Sequence, residues 1–297
     1  IRFEEEILES GLSFDEETGW SVTGRHNEHL KDVEDSRVAV INFQKRLERK
    51  IKNNPELVEG LNKAIQRRID SGVFIYLSDL KKMKPEVNWE SYKMVFSPIN
   101  YTIKSSSKNN KIRPVVNASF KPNPQSPSLN QAKYKGSSGN KNIADILRWL
   151  RQFKVISSTD LDDFYQSLSL EPDMCMLNMM MHKRQGYCGD GEFEPLVSTR
   201  ANFGHTDSQF LCNKIKHNTC ERFVRPISED AADQSKWSLT DDIYLGAENF
   251  ETLDILKNAL EKGLKRGKFK LKPFVTSFDP VQENQKIGQG VLGLIWV

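Results

Sequence analysis

Two acidic residues stand side by side inside an otherwise apolar stretch, Leu239-Thr240-Asp241-Asp242-Ile243-Tyr244-Leu245. Like charges so placed repel, and burying either one is costly without a compensating cation. A second apolar run, Val155-Ile156-Ser157-Ser158-Thr159-Asp160-Leu161, also reaches an aspartate near its end. Two such strand ends laid side by side would bring the carboxylate of Asp160 to that of Asp241. Carboxylate oxygens are the ligands that Mg2+ requires. A pair of such ions about 3.5–4 Å apart activates an attacking hydroxyl and neutralises a leaving pyrophosphate, which is the chemistry of nucleotidyl transfer. Turns also favour Asp, so an exposed hairpin tip is the lesser alternative to a divalent metal site.

The elements that must position these acids follow from hydrophobic spacing. Residues 36–53 put Val38, Ile41, Leu47 and Ile51 on a helical period, and 55–71 do the same with Leu57, Leu61, Ile65 and Ile69. Pro55 and Gly72 punctuate the second helix. Short β-type runs are expected at 73–77 and 94–103, then a loop at 104–111 and a strand from Ile112 to Ala118. Residues 122–140 are rich in Pro, Ser, Gly and Asn and read as loop. A third helix is expected from Asn142 to Phe153, with Ile143, Ile146, Leu147 and Leu150 inward. Further helices are expected at 206–224 and, closed near Gly267, at 250–266. There is no internal repeat and no sharp linker.

The chain of 297 residues and 34.1 kDa is 37% hydrophobic and 28% charged, enough for a real core. No apolar run approaches the roughly 18 residues of a membrane span, and the N-terminus lacks the order of a signal peptide. Beginning at Ile1, the sequence reads as a piece of a longer chain. The net charge is +3, unevenly spread: residues 1–35 hold eleven acids against Arg2, Arg25 and Lys31, whereas 101–154 hold eleven Lys or Arg against Asp145 alone. That basic block is interleaved with Tyr101, Phe120, Tyr134, Trp149 and Phe153, which favours a polyanion such as nucleic acid or nucleotide phosphate over a merely solvated face.

Cys175, Cys188, Cys212 and Cys220 form no C-x-x-C pair, which argues against a zinc ribbon or a disulfide framework and fits a reducing setting. His205, Cys212, His217 and Cys220 crowd together without a standard zinc spacing. Two core thiols and two surface imidazoles are the simpler expectation.

The acidic segments carry a wider resemblance. Thr159-Asp160-Leu161-Asp162-Asp163-Phe164-Tyr165-Gln166 resembles the first palm motif of reverse transcriptases, most closely those of the Bel/Pao class of long-terminal-repeat retrotransposons. Leu239-Thr240-Asp241-Asp242 stands where that family has its aromatic-x-Asp-Asp hairpin. Phe203-Gly204-His205-Thr206-Asp207-Ser208-Gln209-Phe210 is similar to the segment opening the helix under the templating base pair. Arg113-Pro114-Val115-Val116-Asn117-Ala118-Ser119, with Ser128-Leu129-Asn130, is similar to the fingers strand. Gly267-Lys268-Phe269-Lys270-Leu271-Lys272-Pro273-Phe274 and the terminal Val291-Leu292-Gly293-Leu294-Ile295-Trp296 resemble the segment after the palm helix and the primer grip. Leu12 to Val22, two helices and Gly72 resemble the stretch between protease and fingers. Three positions depart from the pattern: Leu239 replaces an aromatic residue, Gln209 replaces a proline, and Pro273-Phe274 replaces a tryptophan.

The resemblance implies an α+β right-hand polymerase fold, palm and fingers, with an antiparallel palm sheet backed by helices. Residues 1–35 would be an acidic N-terminal segment, 36–154 mainly fingers, and 155–297 mainly palm with a fingers insertion near 170–200; no thumb or RNase H is expected within the chain. It implies two Mg2+ ions, with Mn2+ as a substitute, held by Asp160, Asp241, Asp242 and the Leu161 carbonyl. Asp162 and Asp163 are not expected to be ligands. Tyr165 would wall off the 2′-hydroxyl and so favour deoxynucleotides. Arg113 and Lys108, or Lys104, would meet the triphosphate, Phe203 and Gly204 the template side, and Lys272 would protonate the departing pyrophosphate.

The implied activity is RNA- and DNA-directed DNA synthesis from dNTPs on a primed RNA or DNA template. Flanking protease, RNase H and integrase regions of a parent polyprotein are the implied partners, and the location is intracellular, cytoplasmic or within virus-like particles, without a membrane. An RNA-dependent RNA polymerase, or a domesticated palm that only binds nucleic acid or protein, are the alternatives.

Overall fold

The computed structural model describes residues 2–104, 111–277, 289–291 and 294–296. Lys108 lies outside the described residues, as does part of the terminal 291–296 segment. The fold is mixed α+β and divides into two compact units. Among the described residues no helix is long and apolar enough to cross a membrane.

The first unit comprises residues 1–13, 21–136 and 168–208. Its two main helices are Arg37–Ile51 and Pro55–Asp70. The second starts where Asn54 accepts the Leu57 N–H through its side chain, with Pro55 in the first turn. It is followed by Gly72, at φ +72°, a conformation that costs glycine little. The buried line of the first helix is Val40, Gln44, Leu47 and Ile51. That corrects the expected stripe, since Val38 is 71% exposed. The polar Gln44 hid the line in the sequence; inside, its side chain hydrogen-bonds the Tyr187 hydroxyl at 2.9 Å.

Strand Phe74–Tyr76 gives way at once to a short helix, Leu77–Met83, where only a strand was expected. It pairs antiparallel with Glu194–Ser198, which pairs in turn with Met179–His182. Ile99–Lys104 and Lys111–Val116 form an antiparallel ladder.

Residues 204–208 are pinned within this unit. Gly204 has φ +101°, and a Cβ there would stand 1.9 Å from the Val116 carbonyl oxygen. Asn130 donates to the Gly204 carbonyl at 2.8 Å and accepts from the Thr206 N–H at 3.0 Å. Lys133 and Asp207 pair at 2.9 Å with side chains 1% and 4% exposed. Two expectations are corrected here: Lys133 is a core cation rather than part of a polyanion-binding face, and His205 is buried rather than at the surface. Burial pushes His205 down to about 3 and His26 down to about 4, so both are neutral near pH 7.

The second unit comprises residues 14–20, 137–167 and 209–297. Its antiparallel sheet runs in the order Ser238–Leu239, Asp242–Ala247, Val155–Asp162, with Lys270–Leu271 and Val275–Thr276 both on the far edge of Val155–Asp162. Helix Phe250–Arg266, capped by Asn249 through the Thr252 N–H, backs the sheet with Leu253, Leu256, Leu260 and Leu264. Burying four leucines contributes on the order of 1.5–3 kcal/mol each before conformational entropy is counted. Helix Ser208–Thr219 runs into a wider turn, Cys220–Val224. Helix Ile143–Leu150 turns Ile146, Trp149 and Leu150 inward and leaves Ile143 exposed, because Trp149 stacks on Trp237 at 5.0 Å and 4°. Trp149 is therefore a core ring and not an exposed stacking platform. Gln289–Val291 pairs antiparallel with Leu294–Trp296.

Candidate metal centre

Asp160 and Asp242 face each other across the central pair of strands in the second unit, in register with Thr159 opposite Ile243 and Ser158 opposite Tyr244. Asp241 occupies the two-residue loop between Ser238–Leu239 and Asp242–Ala247, and its carbonyl accepts the Leu161 N–H at 2.9 Å. The first loop residue, Thr240, has φ +55°. A positive φ there lets a two-residue loop follow the twist of its strands. The outcome is that one carboxylate oxygen from each of Asp160, Asp241 and Asp242 lies within 4.8 Å of the others. All three residues are half-buried.

The electrostatics are those of a cluster only partly compensated by cations of the chain. Burial raises Asp241 above the ordinary 3.8, and Asp160 adds to the rise. Burial likewise raises Asp242, with Asp241 and Asp160 both adding to it. Lys272 is the nearest relief: its ammonium donates to Asp160 Oδ2, and that bond raises the lysine. The backbone fixes this lysine, since its N–H donates to the Asp160 carbonyl at 2.9 Å and its own carbonyl accepts from Thr159 Oγ1 at 2.8 Å. Three hard oxygen donors, drawn together against their own repulsion, fit a small divalent cation. Asp160, Asp241 and Asp242 could hold such a metal ion.

Tyr165 belongs to the short turn Phe164–Ser167, and its hydroxyl donates to the Gln209 side-chain oxygen. Burial pushes the phenol up to about 12, with Cys212 and Asp241 adding to it, so it stays protonated. Leu161 has a buried side chain and lies opposite Leu271. Asp162 and Asp163 are exposed and outside the triad, Asp163 with φ +50°.

Arg113, Phe203 and Gly204 belong to the first unit, where Arg113 is exposed and lies opposite Thr102. Phe203 is half-exposed, and Gly204 has the local packing reason given above. Among the described residues, the His205–Cys212–His217–Cys220 group offers no metal cluster.

Two residues escaped the sequence reading. Lys216 is 5% exposed, and its ammonium donates to Ser238 Oγ at 2.9 Å and to the Thr240 carbonyl at 2.7 Å. Burial pushes it down to about 8. Asn140 accepts the Thr240 N–H at 3.0 Å. The available signal for Lys216 is its helical line with Cys212, Thr219 and Cys220, all buried; nothing local marks Asn140.

No protein-family model matches the chain, and no curated protein matches it. Among solved structures it is similar to the foamy viral protease-reverse transcriptase in complex with an RNA/DNA hybrid, at 17% identity and a TM-score of 0.50, over 74% of this chain and 24% of that one. The foamy viral protease-reverse transcriptase dRH in complex with double-stranded DNA matches at 18% identity and a TM-score of 0.44, over 71% and 31%. The chain thus spans about a quarter to a third of the structures it matches. The first likeness defines the class of the fold, which is reverse transcriptase-like.

Proposed function

We propose that this chain is the fingers-and-palm core of a reverse transcriptase of the Bel/Pao retrotransposon class, adding deoxynucleotides to a primer 3′-hydroxyl on an RNA or DNA template. The observation that carries the reading is the meeting of Asp160, Asp241 and Asp242 within 4.8 Å on neighbouring antiparallel strands. A fold similar to that of a viral protease-reverse transcriptase solved with an RNA/DNA hybrid supports it. Two Mg2+ or Mn2+ ions, when bound, supply the Lewis acidity that activates the hydroxyl and offsets charge on the pyrophosphate.

The chain's own residues do the rest. Asp160, Asp241 and Asp242, with the Leu161 carbonyl, would hold the ions. Lys272 holds a proton beside Asp160 and gives it to the departing pyrophosphate. The Tyr165 ring, tethered by its hydroxyl to Gln209, fills the space a ribose 2′-hydroxyl would need. Arg113 and Lys108 take the triphosphate, and Phe203 and Gly204 the template side. Residues 36–154 are mainly fingers and 155–297 mainly palm, with a fingers insertion near 170–200. The parent polyprotein carries protease, RNase H and integrase regions.

Primer extension tests the reading. With a primed RNA template and Mg2+ or Mn2+, the chain should incorporate dNTPs in preference to rNTPs, and Asp241→Asn should abolish incorporation while leaving template binding unchanged. Preference for rNTPs would make it an RNA polymerase. No extension with either ion, together with intact nucleic-acid binding, would make it a binding module.

A further inference from the structure

Thr240 is a β-branched residue in the left-handed region, a conformation such side chains rarely adopt. It sits one position before Asp241, and every polar group it has is held. Its N–H donates to Asn140 Oδ1 at 3.0 Å, its hydroxyl accepts from Asn140 Nδ2 at 3.3 Å, and its carbonyl accepts from Lys216 Nζ at 2.7 Å. The clamp is itself braced. Lys216 also donates to Ser238 Oγ at 2.9 Å, two residues before Thr240. Asn213, one helical turn before Lys216, donates to Asn140 Oδ1 at 3.1 Å and to the Ser138 carbonyl. A loop a hundred residues away in sequence and one helix face therefore converge on a single backbone unit.

The placement of Lys216 is costly in itself. A lysine ammonium is almost never fully buried unless paired, yet both acceptors here are neutral oxygens. Its ammonium also lies 5.4 Å from the centre of the Phe164 ring. What Lys216 enforces is the direction of the peptide between Thr240 and Asp241, and hence where the Asp241 carboxylate points. With Thr240 relaxed to negative φ, the two-residue loop would no longer match the strand twist, and Asp241 would turn away from Asp160.

We propose that Asn140 and Lys216 are positioning residues that lock Thr240 in its left-handed conformation and so aim Asp241 at the cation held with Asp160 and Asp242. This rests on the reading of the three aspartates as a metal centre. Groups that orient a metal ligand from behind typically matter by 10–100-fold in affinity.

The test is Mn2+ binding to the whole chain, followed by electron paramagnetic resonance, with Mn2+ alone as the probe. Asn140→Ala and Lys216→Met should each weaken binding by about tenfold. Their melting temperatures should not drop in parallel, since Lys216→Met removes a buried charge. Adding Thr240→Gly to Asn140→Ala should recover most of the affinity, because glycine holds a positive φ unaided.

A lysine that acted only through its charge would give the reverse sign: Lys216→Met would tighten Mn2+ binding beside two carboxylates, and that result overturns the proposal. Wild-type affinity in folded Asn140→Ala overturns it too, and this loop variant decides alone if Lys216→Met does not fold. The underlying reading fails separately. In that case the wild-type chain binds no Mn2+, or Asp241→Asn binds it as tightly as the wild type, and the clamp falls with it.

Discussion

Two of the sites at which carboxylates leave water, among the described residues, differ in what meets the charge. In the first unit, burial alone would raise Asp207, but the Lys133 ammonium, together with the hydrogen bonds and the neighbouring His205, holds the carboxyl below its ordinary 3.8. The pair sits beside imidazoles that burial keeps neutral. In the second unit, Asp241 and Asp242 are raised by burial and by their neighbours, and of the lysines near them Lys272 is bonded to Asp160 and Lys216 to neutral oxygens. One site is neutralised from within the chain and reads as structure. The other gathers like charges without fully matching them and reads as a place for a cation that is not part of the chain.

Several changes would break or sharpen that contrast. The largest effect is expected on activity: Asp241→Asn should lower primer extension by at least about a thousandfold, as loss of one member of a catalytic set does. Its metal-free melting temperature should hold or rise, because a repulsive charge is gone.

In the first unit the order reverses. Lys133→Met should leave Asp207 buried and unpaired and cost about 3–5 kcal/mol in denaturant unfolding, whereas Lys133→Met with Asp207→Leu should come close to neutral. Equal losses in the single and double variants would show that the ion pair does not explain the site.

Added metal should separate the regions further. Mn2+ at a hundred times its dissociation constant should raise stability by about 2.7 kcal/mol in the wild type and by nearly nothing in Asp241→Asn. Lys133→Met should keep the full increment.

The smallest effects are those of pH in EDTA, and their signs are opposite. A lowered Asp207 stabilises the fold above its unfolded value and stops doing so as pH falls through the lower folded one, so the deficit of Asp207→Asn should shrink below pH 3.8. Raised Asp241 and Asp242 weaken the fold as pH climbs from 3.8 through their folded values. The advantage of Asp241→Asn over the wild type should therefore grow over that interval and vanish below it. Matching slopes for the two variants would erase the distinction between the sites.

How much of this could be read from the chain follows from the range of the contacts. Helix Phe250–Arg266 is legible because its caps and apolar period are local, and the aspartates stand out because acids interrupt apolar runs. The stripe of the first helix is not legible, because Gln44 is polar yet buried, for the sake of a tyrosine 143 residues away. Lys133 reads as one more charge of the polyanion-binding block and Lys216 carries no mark of its own, since a lysine shows its burial only through partners such as Asp207 and Thr240. Asn140 looks like any loop asparagine until residue 240 folds onto it. Long-range polar contacts leave no period in a sequence, and here they surround the site.

The most direct test of the central claim is anomalous scattering from crystals of the chain soaked in MnCl2. Density should appear between the carboxylates of Asp160, Asp241 and Asp242, with the Lys272 ammonium moved off Asp160. Density absent from that cluster at saturating Mn2+, with Lys272 still bound to Asp160, would contradict it.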